Sequence, residues 1–187
     1  MPRRPRPFED GHYYHVIARG NNQAPIFTIE GGYKAFRRLL LNCKDRVSFQ
    51  LYHYCLMPNH IHLMIRPERG AELPKIMHTL LLGYTRWYKT QQSFTGQLWQ
   101  GRYKCLAIED EGYMFECGRY IERNPVRAHI VSNPEDYPWS SYKHYAAGQN
   151  DSVVDNDPYF ESFGSNEFTR QRNYREFVRI EPQMNRV

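Results

Sequence analysis

The sequence predicts an α+β fold: a ferredoxin-like (split βαβ) antiparallel sheet with two covering helices, plus an added tyrosine-bearing helix near the open face of the sheet. Three observations predict it. Apolar residues recur with periods of 2 and 3.6 in the order β, α, β, β, α, β. The 187 residues, 41% of them hydrophobic, suit one domain with an appendage and can bury a core. A further amphipathic stretch, carrying Tyr113 and Tyr120, follows the sixth element.

Met1 to Phe8 sets Arg3, Arg4 and Arg6 between prolines, which prevents helix and central strand and leaves a basic arm. His12 to Arg19 reads as the first strand, ending at the turn cluster Gly20-Asn21-Asn22. From Glu30 to Arg46, Tyr33, Phe36, Leu39, Leu40 and Cys43 fall at helical spacing, with Lys34, Arg37, Arg38 and Lys44 on the other side. Ser48 to Met57 and His60 to Arg66 read as two strands joined through Pro58-Asn59. In the second, Ile61, Leu63 and Ile65 alternate with His60, His62 and Met64, so one face is core and the other carries the histidines. Ala71 to about Gln91 presents an apolar helical face from Leu73 to Tyr88, leaving Lys75, Arg86 and Lys89 outward. Tyr103 to Ile108 is short enough for a fourth strand.

The tyrosine helix starts in the acidic turn Glu109-Asp110-Glu111, which complements the positive end of a helix dipole. Its expected end is Arg123 or Asn124, because Pro125 disfavours α geometry at the preceding residue. Tyr113, Glu116, Tyr120 and Asn124 share one stripe; Met114, Cys117 and Ile121 form another, expected to be buried. Residues 147–165 read as a polar linker, and Phe168 to Ile180 as a final helix docking through Phe168, Tyr174, Phe177 and Val178. The expected division is a functional domain over 1–146 and a linker with a helical tail over 147–187.

The formal charge is +5, which favours polyanionic partners. It is unevenly placed: residues 1–146 hold 20 Lys and Arg against 13 Asp and Glu, residues 147–187 hold 5 against 7. The 15% aromatic content offers stacking surfaces for unpaired bases. Cys43, Cys55, Cys105 and Cys117 are dispersed without a CxxC pair, as expected of reduced thiols in a cytoplasmic protein. No apolar run reaches membrane-spanning length, so a soluble protein with no membrane partner is expected.

If Pro58-Asn59-His60-Ile61-His62 lies on a strand, the imidazoles of His60 and His62 point to one face and can grip a metal. If Tyr120 to Pro125 lies on a helix, Tyr120 and Asn124 are four apart and share a face, bringing a phenol and an amide oxygen to the same ion. Two imidazoles and an amide leave open positions on Mg²⁺ or Mn²⁺ for phosphate and water. A phosphodiester resists attack because its charge repels nucleophiles, and a divalent cation offsets that charge. Attack by the phenol yields a covalent phosphotyrosine and a free 3′-hydroxyl, so the strand can be rejoined without a nucleotide cofactor. Tyr113 shares the stripe but lies two turns further from Asn124. Two other readings fit the same residues: a zinc site, and a non-catalytic nucleic-acid-binding module with an RRM-like sheet. For phosphate contacts the candidates are Arg37, Arg38, Lys75, Arg86, Lys89, Arg102 and Lys104.

The block Tyr54-Cys55-Leu56-Met57-Pro58-Asn59-His60-Ile61-His62-Leu63 resembles the HUH motif of single-tyrosine transposases of the IS200 type. Tyr120-Ile121-Glu122-Arg123-Asn124-Pro125-Val126-Arg127-Ala128, followed by Asp136-Tyr137-Pro138-Trp139-Ser140-Ser141-Tyr142, resembles the REP-associated tyrosine transposases within that family. Arg19-Gly20-Asn21-Asn22 and Trp99-Gln100-Gly101-Arg102-Tyr103-Lys104 fit the same subgroup, which adds Arg19 and Asn21 to the DNA-binding candidates. The resemblance implies a nuclease and strand transferase for single-stranded DNA near palindromic hairpins, nucleoid-associated in the cytoplasm. It implies Tyr120 as the nucleophile of a 5′-phosphotyrosine link, and His60, His62 and Asn124 as ligands of a divalent metal. One departure is His129, where members often carry glycine. Monomer and homodimer remain open, as does whether Tyr120 serves its own subunit or a partner's.

Overall fold

Strand alternation sorts the buried side chains of one sheet into two packed layers. The computed structural model describes residues 8–181, so the basic arm at residues 1–7 lies outside the described residues. β1 (Tyr13–Arg19), β2 (Phe49–Met57), β3 (His60–Pro67) and β4 (Lys104–Ile108) form one sheet in the order β2-β3-β1-β4. Every neighbouring pair is antiparallel. β3 lies between β1 and β2, the insertion that splits a βαβ unit.

One layer joins Val16, Ala18, Leu56, Ile61, Leu63 and Ile65 of the strands to α1 (Gly32–Lys44) and α2 (Leu73–Gln91), through Phe36, Leu40, Ile76, Leu80 and Tyr84. On the opposite face, Cys55, Met57 and Met64 meet Met114, Cys117, Tyr120 and Ile121 of α3 (Glu111–Arg127). The histidine face is therefore roofed by the tyrosine helix rather than open. A bulge in β2 assists this packing: Leu51 pairs with Ile65 and His53 with Met64, leaving Tyr52 as the extra residue. Tyr52 and His53 are consequently both directed to the α3 side.

α3 runs three residues beyond the expected stop at Asn124, with Pro125 inside its last turn. A proline there forfeits one backbone bond and leaves little helix beyond it to disrupt. The end closes as a Schellman motif, the N–H of Ile130 donating to the Pro125 carbonyl and that of His129 to Val126, both at 2.9 Å. That motif requires a left-handed residue, and His129 has φ +56°, which gives the reason glycine suits the position. His129→Gly is expected to raise stability by about 1 kcal/mol, read as an increased urea midpoint at unchanged slope.

As an edge strand, β2 exposes a ladder of unpaired groups, and the C-terminal segment covers it. Leu56 N–H donates to the Trp139 carbonyl (2.9 Å) and Ser141 N–H to Tyr54 (3.0 Å). Further along, Leu51 N–H donates to Asp155 Oδ2 (2.7 Å) and Asp155 N–H to the Leu51 carbonyl (2.8 Å). The stretch read as a linker thus runs along the sheet edge, with Val153 fully buried in the main core. It also takes up part of the basic face of α1: Arg37 is paired with Asp151 at 2.6 Å and Lys44 with Asp155.

α4 (Tyr142–Ala147) and α5 (Glu167–Arg179) form a third cluster through Tyr142, Tyr145, Tyr174 and Val178. Phe168, expected in the docking face, is 70% exposed. It lies six residues before Tyr174, about 240° around the helix, whereas Val178 lies four after and shares the face. Cys43, Cys55 and Cys117 are buried free thiols, and Cys105 is half-buried. Among the described residues no helix is long and apolar enough to cross a membrane.

Candidate active site

Register fixes what surrounds the histidines. Across the sheet His62 stands opposite Ile17, which stands opposite Lys104, and His60 stands opposite Arg19. Directly paired residues share a face, so Arg19 and Lys104 join His60 and His62 on the side roofed by α3. The helix contributes Tyr120 and Asn124, four residues apart, and Arg127, three further on along the same stripe.

The rings come together within a single chain. His60 and His62 lie 4.9 Å apart between centroids, and Tyr120 meets His62 in a T-shaped contact at 5.7 Å. His15, from β1, stacks on His62 at 5.2 Å and touches Tyr120 at 5.9 Å. The Arg127 guanidinium covers the Tyr120 ring at 4.9 Å. The Asn124 side chain lies beside His60, whose protonated form it favours.

Hydrogen bonds orient the imidazoles. The Asn59 amide nitrogen donates to the Gln23 carbonyl at 3.1 Å, which turns its oxygen toward His60 Nδ1 at 2.6 Å. An amide oxygen only accepts, so His60 carries its proton on Nδ1 and leaves the Nε2 lone pair for a ligand. His62 Nδ1 lies 2.9 Å from His15 Nε2, while His62 Nε2 is buried without a hydrogen-bond partner among the described residues. Burial, with the Arg19 charge second, lowers the His60 pKa to about 4. Burial likewise lowers His15 to about 4 and His62 well below the ordinary value, the latter aided by the neighbouring imidazoles and Arg19. Neutral rings keep lone pairs available at physiological pH.

The position of α3 is secured by charge buried on its far side. Glu122, with no exposed surface, accepts from Ser141 Oγ (2.6 Å) and Tyr174 Oη (2.7 Å) and faces His53 Nδ1 at 3.0 Å. His53 Nε2 lies 3.1 Å from Asp157 Oδ2. Burial works against charge on His53, but its hydrogen bonds to Asp157 and Glu122 prevail and raise its pKa to about 9. Gly118 allows this approach, since a Cβ there would stand 2.9 Å from His53 Nε2.

The structure thus brings together His60, His62, Tyr120 and Asn124. Tyr113 stands apart, half-buried two turns back along α3. Of the basic candidates, Arg19 and Lys104 share the histidine face, and Asn21 follows β1 with its N–H donating to the Leu98 carbonyl at 2.9 Å. Arg38, Lys75, Arg86 and Lys89 are exposed on α1 and α2, across the sheet, and Arg102 is exposed in the loop before β4. The sequence reading missed His15 and Arg127. The alternation Tyr13, His15, Ile17 put His15 on one face of β1, but only the register set that face against His62. Among the described residues no three His, Cys, Asp or Glu side chains converge as a metal-binding group. A two-histidine, one-amide set fits a divalent ion through the unpartnered His62 Nε2 and the oriented His60.

A family model described as "Transposase IS200 like" matches residues 9–124. A Haemophilus influenzae protein named as a candidate REP-associated tyrosine transposase is 26% identical over 117 residues, covering 57% of this chain and 66%, just under two thirds, of that protein. Among solved structures, one titled as a REP-associated tyrosine transposase bound to a REP hairpin superposes with a TM-score of 0.68 at 19% identity, covering 84% of this chain and 93% of that one.

Proposed function

The chain belongs to the IS200-like transposase family, and from that premise we propose that it cuts and rejoins single-stranded DNA beside hairpin-forming palindromic repeats, with Tyr120 as the nucleophile. The observation that carries this reading is the placement of Tyr120 against His62, 5.7 Å between rings, in the same chain as a His62 Nε2 without a hydrogen-bond partner among the described residues. The names of the Haemophilus relative and of the hairpin-bound structural neighbour support the choice of a REP-type hairpin.

His60, His62 and Asn124 would hold Mg²⁺ or Mn²⁺. Such an ion, when bound, withdraws charge from the phosphate oxygens and stabilises the charge that builds up in the transition state. The remaining work falls to the chain. Tyr120 Oη loses its proton and forms a bond to phosphorus while the bond to the 3′ oxygen breaks. The 3′ oxygen leaves as a hydroxyl, and the strand stays attached as a 5′-phosphotyrosine. An incoming 3′-hydroxyl reverses these bonds at a new junction and restores the phenol. Asn59 and His15 hold the two imidazoles in place, and Arg19 and Lys104 bring positive charge to the strand entering the histidine face.

The test is incubation of the protein with a hairpin bearing a single-stranded extension, with Mg²⁺ or Mn²⁺ and then with EDTA. A protein–DNA adduct that survives denaturing electrophoresis is expected with metal and not with chelator. Binding without an adduct in either metal would overturn the proposal.

A further inference from the structure

Beyond the histidine face, the end of α3 carries a second feature. Glu181, the last described residue, spreads its carboxylate across two guanidinium groups. Its Oε2 lies 3.2 Å from Arg123 Nη2 and its Oε1 lies 3.6 Å from Arg127 Nε. The two arginines are not equivalent. Arg123 is engaged in structure, its Nη1 donating to the carbonyls of Val178 (3.0 Å) and Arg179 (2.6 Å), groups left without partners at the end of α5. Arg127 has the Tyr120 ring beneath it and the 68%-exposed Glu181 beside it, and its Nη1 is buried without a hydrogen-bond partner among the described residues. A donor kept in that condition costs free energy unless a ligand satisfies it. His129 lines the same cleft.

We propose that Arg127, assisted by Arg123, is the receptor for a backbone phosphate of the single-stranded DNA, next along the strand from the one presented to Tyr120. One oxyanion bridging two guanidinium groups is the geometry that arginine forks give phosphate, and Glu181 marks where that anion lies. Position supplies the identity. His15 and His62 meet the Tyr120 ring in T-shaped contacts and Arg127 lies over it, so a strand crossing the phenol passes from one to the other. This inference rests on the reading of Tyr120 as the residue that meets DNA.

The test measures equilibrium binding in EDTA, which removes the metal and the chemistry. Two DNAs are used: a hairpin with a single-stranded extension, and the same hairpin with blunt ends. Arg127→Gln is expected to weaken binding of the extended DNA about tenfold. It should lower the slope of log K against log salt by roughly 0.7, the contribution of one single-strand phosphate, and leave the blunt hairpin unaffected. Arg127→Lys keeps the slope if charge is what the phosphate uses, and guards against a fold defect in the glutamine variant. Glu181→Gln should tighten binding a few-fold by removing the competing carboxylate. Equal losses on both DNAs, or an unchanged slope in Arg127→Gln, would overturn the site. The outcomes also separate the two proposals. An Arg127-dependent slope without any covalent adduct sinks the catalytic reading alone, whereas an adduct with an Arg127-independent slope sinks this one alone.

Discussion

Tyr120→Phe is expected to bind the extended hairpin as tightly as the unaltered protein and to form no covalent adduct, a loss on the order of 10⁴-fold or more in cleavage rate. The substitution deletes one oxygen and keeps the ring that packs on His15, His62 and Arg127, so fold and docking should survive. Tyr113→Phe is the matched control. Tyr113 sits two turns back on the same stripe, half-buried against the α3-side core, and its phenylalanine variant should cleave normally. Burial raises the Tyr113 pKa, a further handicap for a nucleophile that must lose its proton. An adduct persisting in Tyr120→Phe would remove Tyr120 from the chemistry.

Glu122→Ala is expected to cost 3–5 kcal/mol of stability, roughly what breaking a buried ion pair costs, and to loosen the helix that carries Tyr120. Three side chains lose a partner at once: His53, Ser141 and Tyr174, from β2, the segment before α4, and α5. The same cluster makes stability depend on pH. His53 has a folded pKa of about 9 against an ordinary 6.5, so it binds its proton more tightly folded than unfolded. Its contribution is therefore complete below pH 6.5 and disappears as the pH rises through 9, a loss on the order of 3 kcal/mol. Urea midpoints at pH 6 and pH 9.5 check this, and His53→Gln should flatten the difference. A wild-type midpoint that does not move would mean that His53 is neutral in the folded protein.

Much of the site was legible because it is local. The two-residue repeat of a strand decides that His60 and His62 share a face, and the helical repeat decides the same for Tyr120 and Asn124. Neither needs knowledge of the rest of the chain. The element order was legible for the same reason, and the strand and helix ends fall within a few residues of expectation. The misreadings have physical causes. Pro125 reads as a stop, yet a proline in a final turn removes a single bond. Phe168 reads as a docking residue, but its angle around α5 turns it to solvent. Arg37 reads as a phosphate-contact candidate, but an acid 114 residues away holds it.

By itself the sequence determined the α+β class, the histidine pair, the tyrosine and its amide neighbour, and a family motif that ties them together. Tertiary structure alone decided the partners of those groups. His15 reaches His62 through the β1–β3 register, and Arg127 reaches Tyr120 because α3 persists past Pro125. His53 meets Glu122 because a bulge in β2 reverses the side on which a residue emerges. The two histidine contacts join residues tens of positions apart, and their energy comes from burial and hydrogen bonding that exist only once the layers have packed.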